Sequence, residues 1–139
     1  MHVLTEADLA FWEEHGYVIV HDAGRMLNPL VVEGQIVGGI AQGLGGALME
    51  NLAYDADGQL VASSLLDYAL PTARDLPHVE ITHLETPTDL NPLGLKGLGE
   101  GGAIASHAAV ANAVADALAQ SGQRVTATPL TGSRVWGLL

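Results

Sequence analysis

The sequence predicts a single α+β domain, on three observations. Two long stretches, residues 31–51 and 103–120, carry apolar residues at helical spacing. Shorter runs at 17–20, 60–63 and 78–84 have the β-branched or alternating character of strands. The chain is 139 residues long, 48% hydrophobic and 15% charged, which is enough for one folded domain with a modest core. Its apolar content is mostly Ala, Val and Leu, with aromatics at 4%, so the core is expected to use small side chains and to depend on a partner surface.

Residues 5–15 read as a short helix, with Thr5 as N-cap, Asp8 three positions on, and Gly16 as the stop. Leu9 and Trp12 would share one face. A strand follows over 17–20, then a loop, DAGRMLNP, whose Pro29 suits the first turn of the next helix.

That helix, residues 31–51, holds six glycines, which by propensity alone cost roughly 5 kcal/mol relative to alanine. At about 100° per residue the glycines nevertheless sort into two strips. Gly34, Gly38 and Gly45 form one strip, and Gly39, Gly43 and Gly46 the other, with Gln35 and Gln42 between them. Ile36, Val37, Ile40, Leu44, Ala47 and Leu48 occupy the opposite side. Bare backbone at this spacing suits close helix–helix packing or a large polar ligand held by a glutamine amide, and each strip can serve one purpose.

DADG at 55–58 is a turn signal ahead of the 60–63 strand, and LLDYALP at 65–71 reads as an extended crossing segment ended by proline. In the 78–84 strand, alternation places His78 and Glu80 on one face and His83 on the other, which reads as surface polarity and not as a metal set. Ile104, His107, Ala111, Val114 and Leu118 follow helical spacing over 103–120, and His107 reads as a satisfied, half-buried histidine. Ser121-Gly122 ends that helix, with a short strand at 124–127 and a terminal helix at 131–139 to follow.

Several function classes are disfavoured by composition. The net charge of −11 repels a phosphate backbone, so nucleic acid is not an expected partner. Zero cysteines leave no disulfides, thiolate metal sites or cysteine-held iron–sulfur clusters in this chain. The first residues lack the basic-then-apolar pattern of a signal peptide, and the longest uncharged stretch, 34–49, is too short to span a bilayer. A soluble, cytoplasmic protein is expected.

The stretch that stands apart is residues 91–102, NPLGLKGLGEGG, where five glycines surround one acid, Glu100. Gly97, Gly99 and Gly102 formally satisfy G-x-G-x-x-G, but no strand leads into the run, and Glu100 would repel a pyrophosphate at the helix start. Glu100 could instead cap the following helix and complement its dipole. Capping explains the acid, but not the glycines around it or the nearby Lys96.

Three stretches together carry a family resemblance: VIVHDAGRMLNPLVVEGQIVGGIAQGLGGALME, LLDYALPTARDLP, and ETPTDLNPLGLKGLGEGGAIASHAAVANAVADAL. From about Tyr17 onward the chain resembles the C-terminal part of the molybdenum-binding large subunit of the xanthine dehydrogenase and aldehyde oxidase family, which includes aerobic carbon monoxide dehydrogenase large subunits. The resemblance implies that Glu100, in K-x-x-G-E, is the active-site base beside the molybdenum. It implies that Gln35, in E-G-Q-I, hydrogen-bonds the pterin, and that Lys96, Gly97 and Gly99 lie near the cofactor. It also implies a molybdenum–molybdopterin cofactor shared with the remaining large-subunit portion, and iron–sulfur and FAD partner subunits. The reaction implied is hydroxylation of an aldehyde or N-heterocycle carbon with oxygen from water.

Residues 1–16 depart from the family pattern and, in LTEADLAFWEEHGY, faintly resemble the opening of phytanoyl-CoA dioxygenase-like proteins. The expected organisation is an atypical N-terminal helix over 1–16 ahead of a cofactor-binding domain over 17–139. The chain is thus expected to be a fragment or subunit of a molybdenum hydroxylase. The rival expectation is a cofactor-free, stand-alone α+β domain, homo-oligomeric and without activity.

Overall fold

A computed structural model of the chain describes residues 20–139, so the helix expected at 5–15 and the first part of the 17–20 strand lie outside the described residues. Strand β1 (Val20–Asp22) pairs in parallel with β2 (Thr82–Leu84), with His21 opposite His83 and Asp22 opposite Leu84. Parallel neighbours need a crossover. Here the crossover contains helix α1 (Pro29–Leu48), which is followed after β2 by α2 (Ala103–Ala119) and the short α3 (Gly132–Trp136).

The start of α1 is written locally. Asn28 is extended and its side-chain oxygen accepts from Val31 N–H at 3.3 Å, while Pro29 occupies the first turn, where its missing N–H costs nothing. The helix stops at Leu48, earlier than residue 51, because the N–H groups of Met49 and Glu50 both return to the Gly45 carbonyl. Glu50 is then held by the Tyr68 hydroxyl, which latches the 65–71 segment to the end of α1.

Helices α1 and α2 pack on each other through one glycine strip. A Cβ on Gly39 would lie 2.7 Å from Ala103 N, one on Gly43 1.8 Å from Ser106 Oγ, and one on Gly46 2.9 Å from His107 Nδ1. On the other strip Gly34 and Gly38 face open space, with nothing within 4 Å, whereas Gly45 is covered by Glu50 and Pro71. One strip thus serves helix–helix packing, while in the other Gly34 and Gly38 are left open and Gly45 is covered.

Three expected strands contract for want of a neighbour. At 60–63 there is one antiparallel bridge, Tyr54 to Leu60, closing a turn in which Asp55 Oδ1 accepts from the N–H groups of Asp57 and Gln59. Of 78–84, only Thr82–Leu84 finds a partner among the described residues. Residues 124–127 form no strand; the chain runs on to Leu130, whose N–H meets the Ala47 carbonyl at 2.6 Å. The terminal helix shrinks to Gly132–Trp136, capped by Thr131 Oγ1.

The core is small: Ile36, Ile40 and Ala47 of α1 with Ala23, Ala62, Leu118 and Leu130. Large side chains elsewhere are uncovered, Leu66 being 97% and Leu90 94% exposed. Among the described residues no helix is long and apolar enough to cross a membrane.

Candidate functional site

The glycine-rich loop is fastened to the fold at both ends. At its start, Asn91 Nδ2 donates to the Leu95 carbonyl at 2.9 Å while its Oδ1 accepts from Leu95 N–H at 3.0 Å. Gly94 has φ +69°, and its carbonyl accepts from Arg25 N–H at 2.9 Å. A side chain there would be strained in the left-handed region. Lys96 N–H donates to the Ala23 carbonyl at 2.9 Å, extending an antiparallel bridge between Gly24 and Leu95.

At its end the loop runs into α2. The backbone carbonyl of Glu100 accepts from the N–H groups of Ala103 (2.9 Å) and Ile104 (3.1 Å). Gly102 lies so close to α1 that a Cβ would stand 2.1 Å from the Ile36 carbonyl. No side chain caps α2, so the exposed Glu100 carboxylate is not spent on capping. Between the ends, Gly97 and Gly99 have nothing within 4 Å of where a Cβ would be.

Gln35 bridges the two unusual glycine regions: its Nε2 donates to the Gly99 carbonyl at 2.7 Å. With the amide nitrogen facing the loop, Oε1 has no hydrogen-bond partner among the described residues. Gln35 is exposed, beside the open positions Gly34 and Gly38. The bare strip of helix and the two uncovered glycines are thus joined through Gln35, and the exposed Glu100 follows Gly99 directly in the chain.

Lys96 turns elsewhere. Its Nζ lies 2.5 Å from Asp22 Oδ2 and 2.5 Å from Thr86 Oγ1, and the Thr86 hydroxyl donates to the same Asp22 oxygen. The Lys96 ammonium, with help from Thr86 and the Gly24 N–H, holds the Asp22 carboxyl well below the usual carboxylate range. Asp22 and Thr86 had no role in the sequence reading. Their positions, at a strand end and in a Pro/Thr loop, carry no local signal.

His21 was also missed. It is buried, its Nδ1 lies 3.2 Å from where a Cβ on Gly101 would stand, and its Nε2 has no partner among the described residues. Burial, with the neighbouring His83, lowers its pKa. Among the described residues no group of three His, Asp or Glu side chains could hold a metal ion. His78 and Glu80 are exposed, and His107 is half-buried with Nε2 3.2 Å from Thr128 Oγ1. Two open depressions of about 470 and 460 Å³, one lined by Arg25 and Asp89 and one by Glu33 and His78, include neither Glu100 nor Gln35.

A family model described as a molybdopterin cofactor-binding domain matches residues 5–77. The nicotine 6-hydroxylase large subunit of Paenarthrobacter nicotinovorans is 48% identical over 116 residues, covering 84% of this chain and 14% of that protein. The carbon monoxide dehydrogenase large chain of Hydrogenophaga pseudoflava is 38% identical over 120 residues, covering 86% and 15%. In structure, quinoline 2-oxidoreductase from Pseudomonas putida 86 superposes with a TM-score of 0.81 at 49% identity, over 86% of this chain and 15% of that one. The chain thus spans about one-seventh of the length of these curated relatives.

Proposed function

The chain belongs to the molybdopterin cofactor-binding domain family, and from that premise we propose that it supplies one wall of a molybdenum hydroxylase active site, with Glu100 as general base. The observation that carries the proposal is the 2.7 Å bond from Gln35 to the Gly99 carbonyl. It joins the open strip of α1 to the residue immediately before Glu100.

The surface fits the group. A Cβ at Gly34, Gly38, Gly97 or Gly99 would enter space that the fold leaves empty, so a flat polar cofactor can approach backbone there. Gln35 Oε1 would be the acceptor for a pterin N–H, next to the loop that carries Gly97 and Gly99. When bound, the molybdenum–molybdopterin cofactor supplies the redox centre and Lewis acidity for placing water-derived oxygen on an aldehyde or N-heterocycle carbon. Glu100 takes up a proton at its exposed carboxylate during that step.

The remaining walls come from the rest of the large subunit. Leu65, Leu66 and Leu90 are 76%, 97% and 94% exposed, and the described core is too small to account for them. Partner subunits carrying iron–sulfur clusters and FAD take the electrons onward.

The test is Glu100→Gln in the assembled enzyme. The variant should keep its molybdenum and pterin while turnover drops by about 10² to 10⁴. Near-normal turnover with full cofactor content would sink the assignment.

A further inference from the structure

We propose that Lys96 is a positioning residue for Glu100, acting through a clasp on Asp22 and Thr86 that sets where the glycine loop begins its turn. The proposal rests on Glu100 as the base.

Lys96 is the only lysine in a chain of net charge −11, and it stands four residues before Glu100. Its ammonium closes a triangle. Nζ donates to Asp22 Oδ2 and to Thr86 Oγ1, both at 2.5 Å, and the Thr86 hydroxyl donates to Asp22 Oδ2. Asp22 Oδ1 meanwhile accepts from Gly24 N–H at 2.9 Å and Thr86 N–H at 3.1 Å. Every member is thus held by at least two others, and three separate segments meet there: the end of β1, the residues after β2, and the glycine loop.

The loop needs such a fixing point. Beyond Lys96, Gly97 and Gly99 have open space where a side chain would stand, so little besides the half-buried Leu98 fixes the backbone from 97 to 99 and what holds each side matters. One side is the Gln35 bond to the Gly99 carbonyl; the other is the clasp with the Lys96 N–H bond to Ala23. The start of α2 and Gly102 against Ile36 hold the far side of Glu100, so loss of either bond loosens the approach to the turn and shifts Glu100.

Magnitude separates this role from plain stabilisation. Both side chains are partly exposed, 35% for Lys96 and 29% for Asp22, and such pairs add little to global stability. Geometry at a general base is far more sensitive, since a misplacement of about 1 Å can cost about 10²-fold in rate. A clasp that barely alters stability can therefore control turnover.

The experiment measures amide hydrogen exchange in the full chain and kcat and KM in the assembled enzyme, for Lys96→Met, Asp22→Asn, the double variant and Lys96→Arg. The exchange readout is at Gly101 and Ala103, whose N–H groups donate to the Leu98 and Glu100 carbonyls. Lys96→Met and Asp22→Asn should each speed exchange there about tenfold while the middles of α1 and α2 stay protected. The double variant should be no worse than the worse single one, because both break the same clasp. Lys96→Arg should stay close to wild type, and kcat in Lys96→Met should fall about 10²-fold with a smaller change in KM.

Unchanged exchange at Gly101 and Ala103 in Lys96→Met would overturn the proposal. So would additive effects in the double variant, which would mean that Lys96 and Asp22 act independently, or a parallel loss of protection throughout both helices. A wild-type assembly without hydroxylase activity would remove the proposed function, and the exchange data would still decide the clasp.

Discussion

Gln35 on α1 donates to the carbonyl of Gly99, so the helix that leaves two glycines bare also holds the turn bearing Glu100. The open strip of α1 and the turn that carries Glu100 are thereby mechanically one unit. Gln35→Glu tests this with almost no change in size. Glutamate cannot donate, and it places its charge against the Gly99 carbonyl. The variant should lose about 0.5–1.5 kcal/mol of stability in urea denaturation, near the lower figure because the site is exposed. It should also loosen the turn that carries Glu100: hydrogen exchange at Gly101 should rise, and pterin content of the assembled enzyme should fall. Normal pterin retention would show that the bond does not matter to the cofactor surface.

The two glycine strips of α1 should respond oppositely to one methyl group. At Gly43 an added Cβ would meet Ser106 Oγ at 1.8 Å and His107 N at 2.8 Å, so Gly43→Ala must push α2 away. A loss of about 1–3 kcal/mol is expected, as for overpacking generally. At Gly38 nothing lies within 4 Å, and the helix gains from alanine, so Gly38→Ala should stabilise the isolated chain by up to about 1 kcal/mol. The same variant should bind cofactor worse in the assembly, because the methyl occupies the space left for it. Thermal denaturation of the chain and molybdenum analysis of the assembly check both halves; full molybdenum content in Gly38→Ala would remove the ligand from that strip.

What could be read from the sequence is what repeats along the chain. The strips of α1 follow from helical period alone, and its start follows from Asn28 and Pro29 acting on the next few residues. The glycine loop and Glu100 stood out because glycine density is a local property. Strand extent was illegible at 60–63 and 124–127, since a strand exists only where another backbone lies beside it. The Lys96 clasp was illegible for the same reason: Asp22 lies 74 residues away in sequence and Thr86 ten. Nothing near Lys96 predicts that its ammonium turns toward β1.

Two adjacent residues at the end of β1 make the fold sensitive to acid in the same direction. His21 titrates below its ordinary value, chiefly because burial disfavours the charged ring, with His83 beside it adding repulsion. Asp22 titrates below the usual carboxylate range because Lys96, Thr86 and two backbone N–H groups favour its charged form. In both cases the unfolded chain binds the proton more readily than the folded one. Stability therefore rises with pH through each window and is lost on acidification. For His21 the loss begins as pH falls below about 6.5, its unfolded value, and for Asp22 it begins below about 3.8. The causes differ but both shifts run in the same direction, so the two contributions do not cancel. Urea midpoints taken from pH 7.5 to 5 should fall in the wild type, with a slope of at most about 1.4 kcal/mol per pH unit for one proton. In His21→Leu that part of the curve should flatten, while a shallow decline below about pH 3.8 remains, of which Asp22→Asn should remove a small part. Equal slopes between pH 7.5 and 5 in wild type and His21→Leu would show that the buried ring is not what titrates.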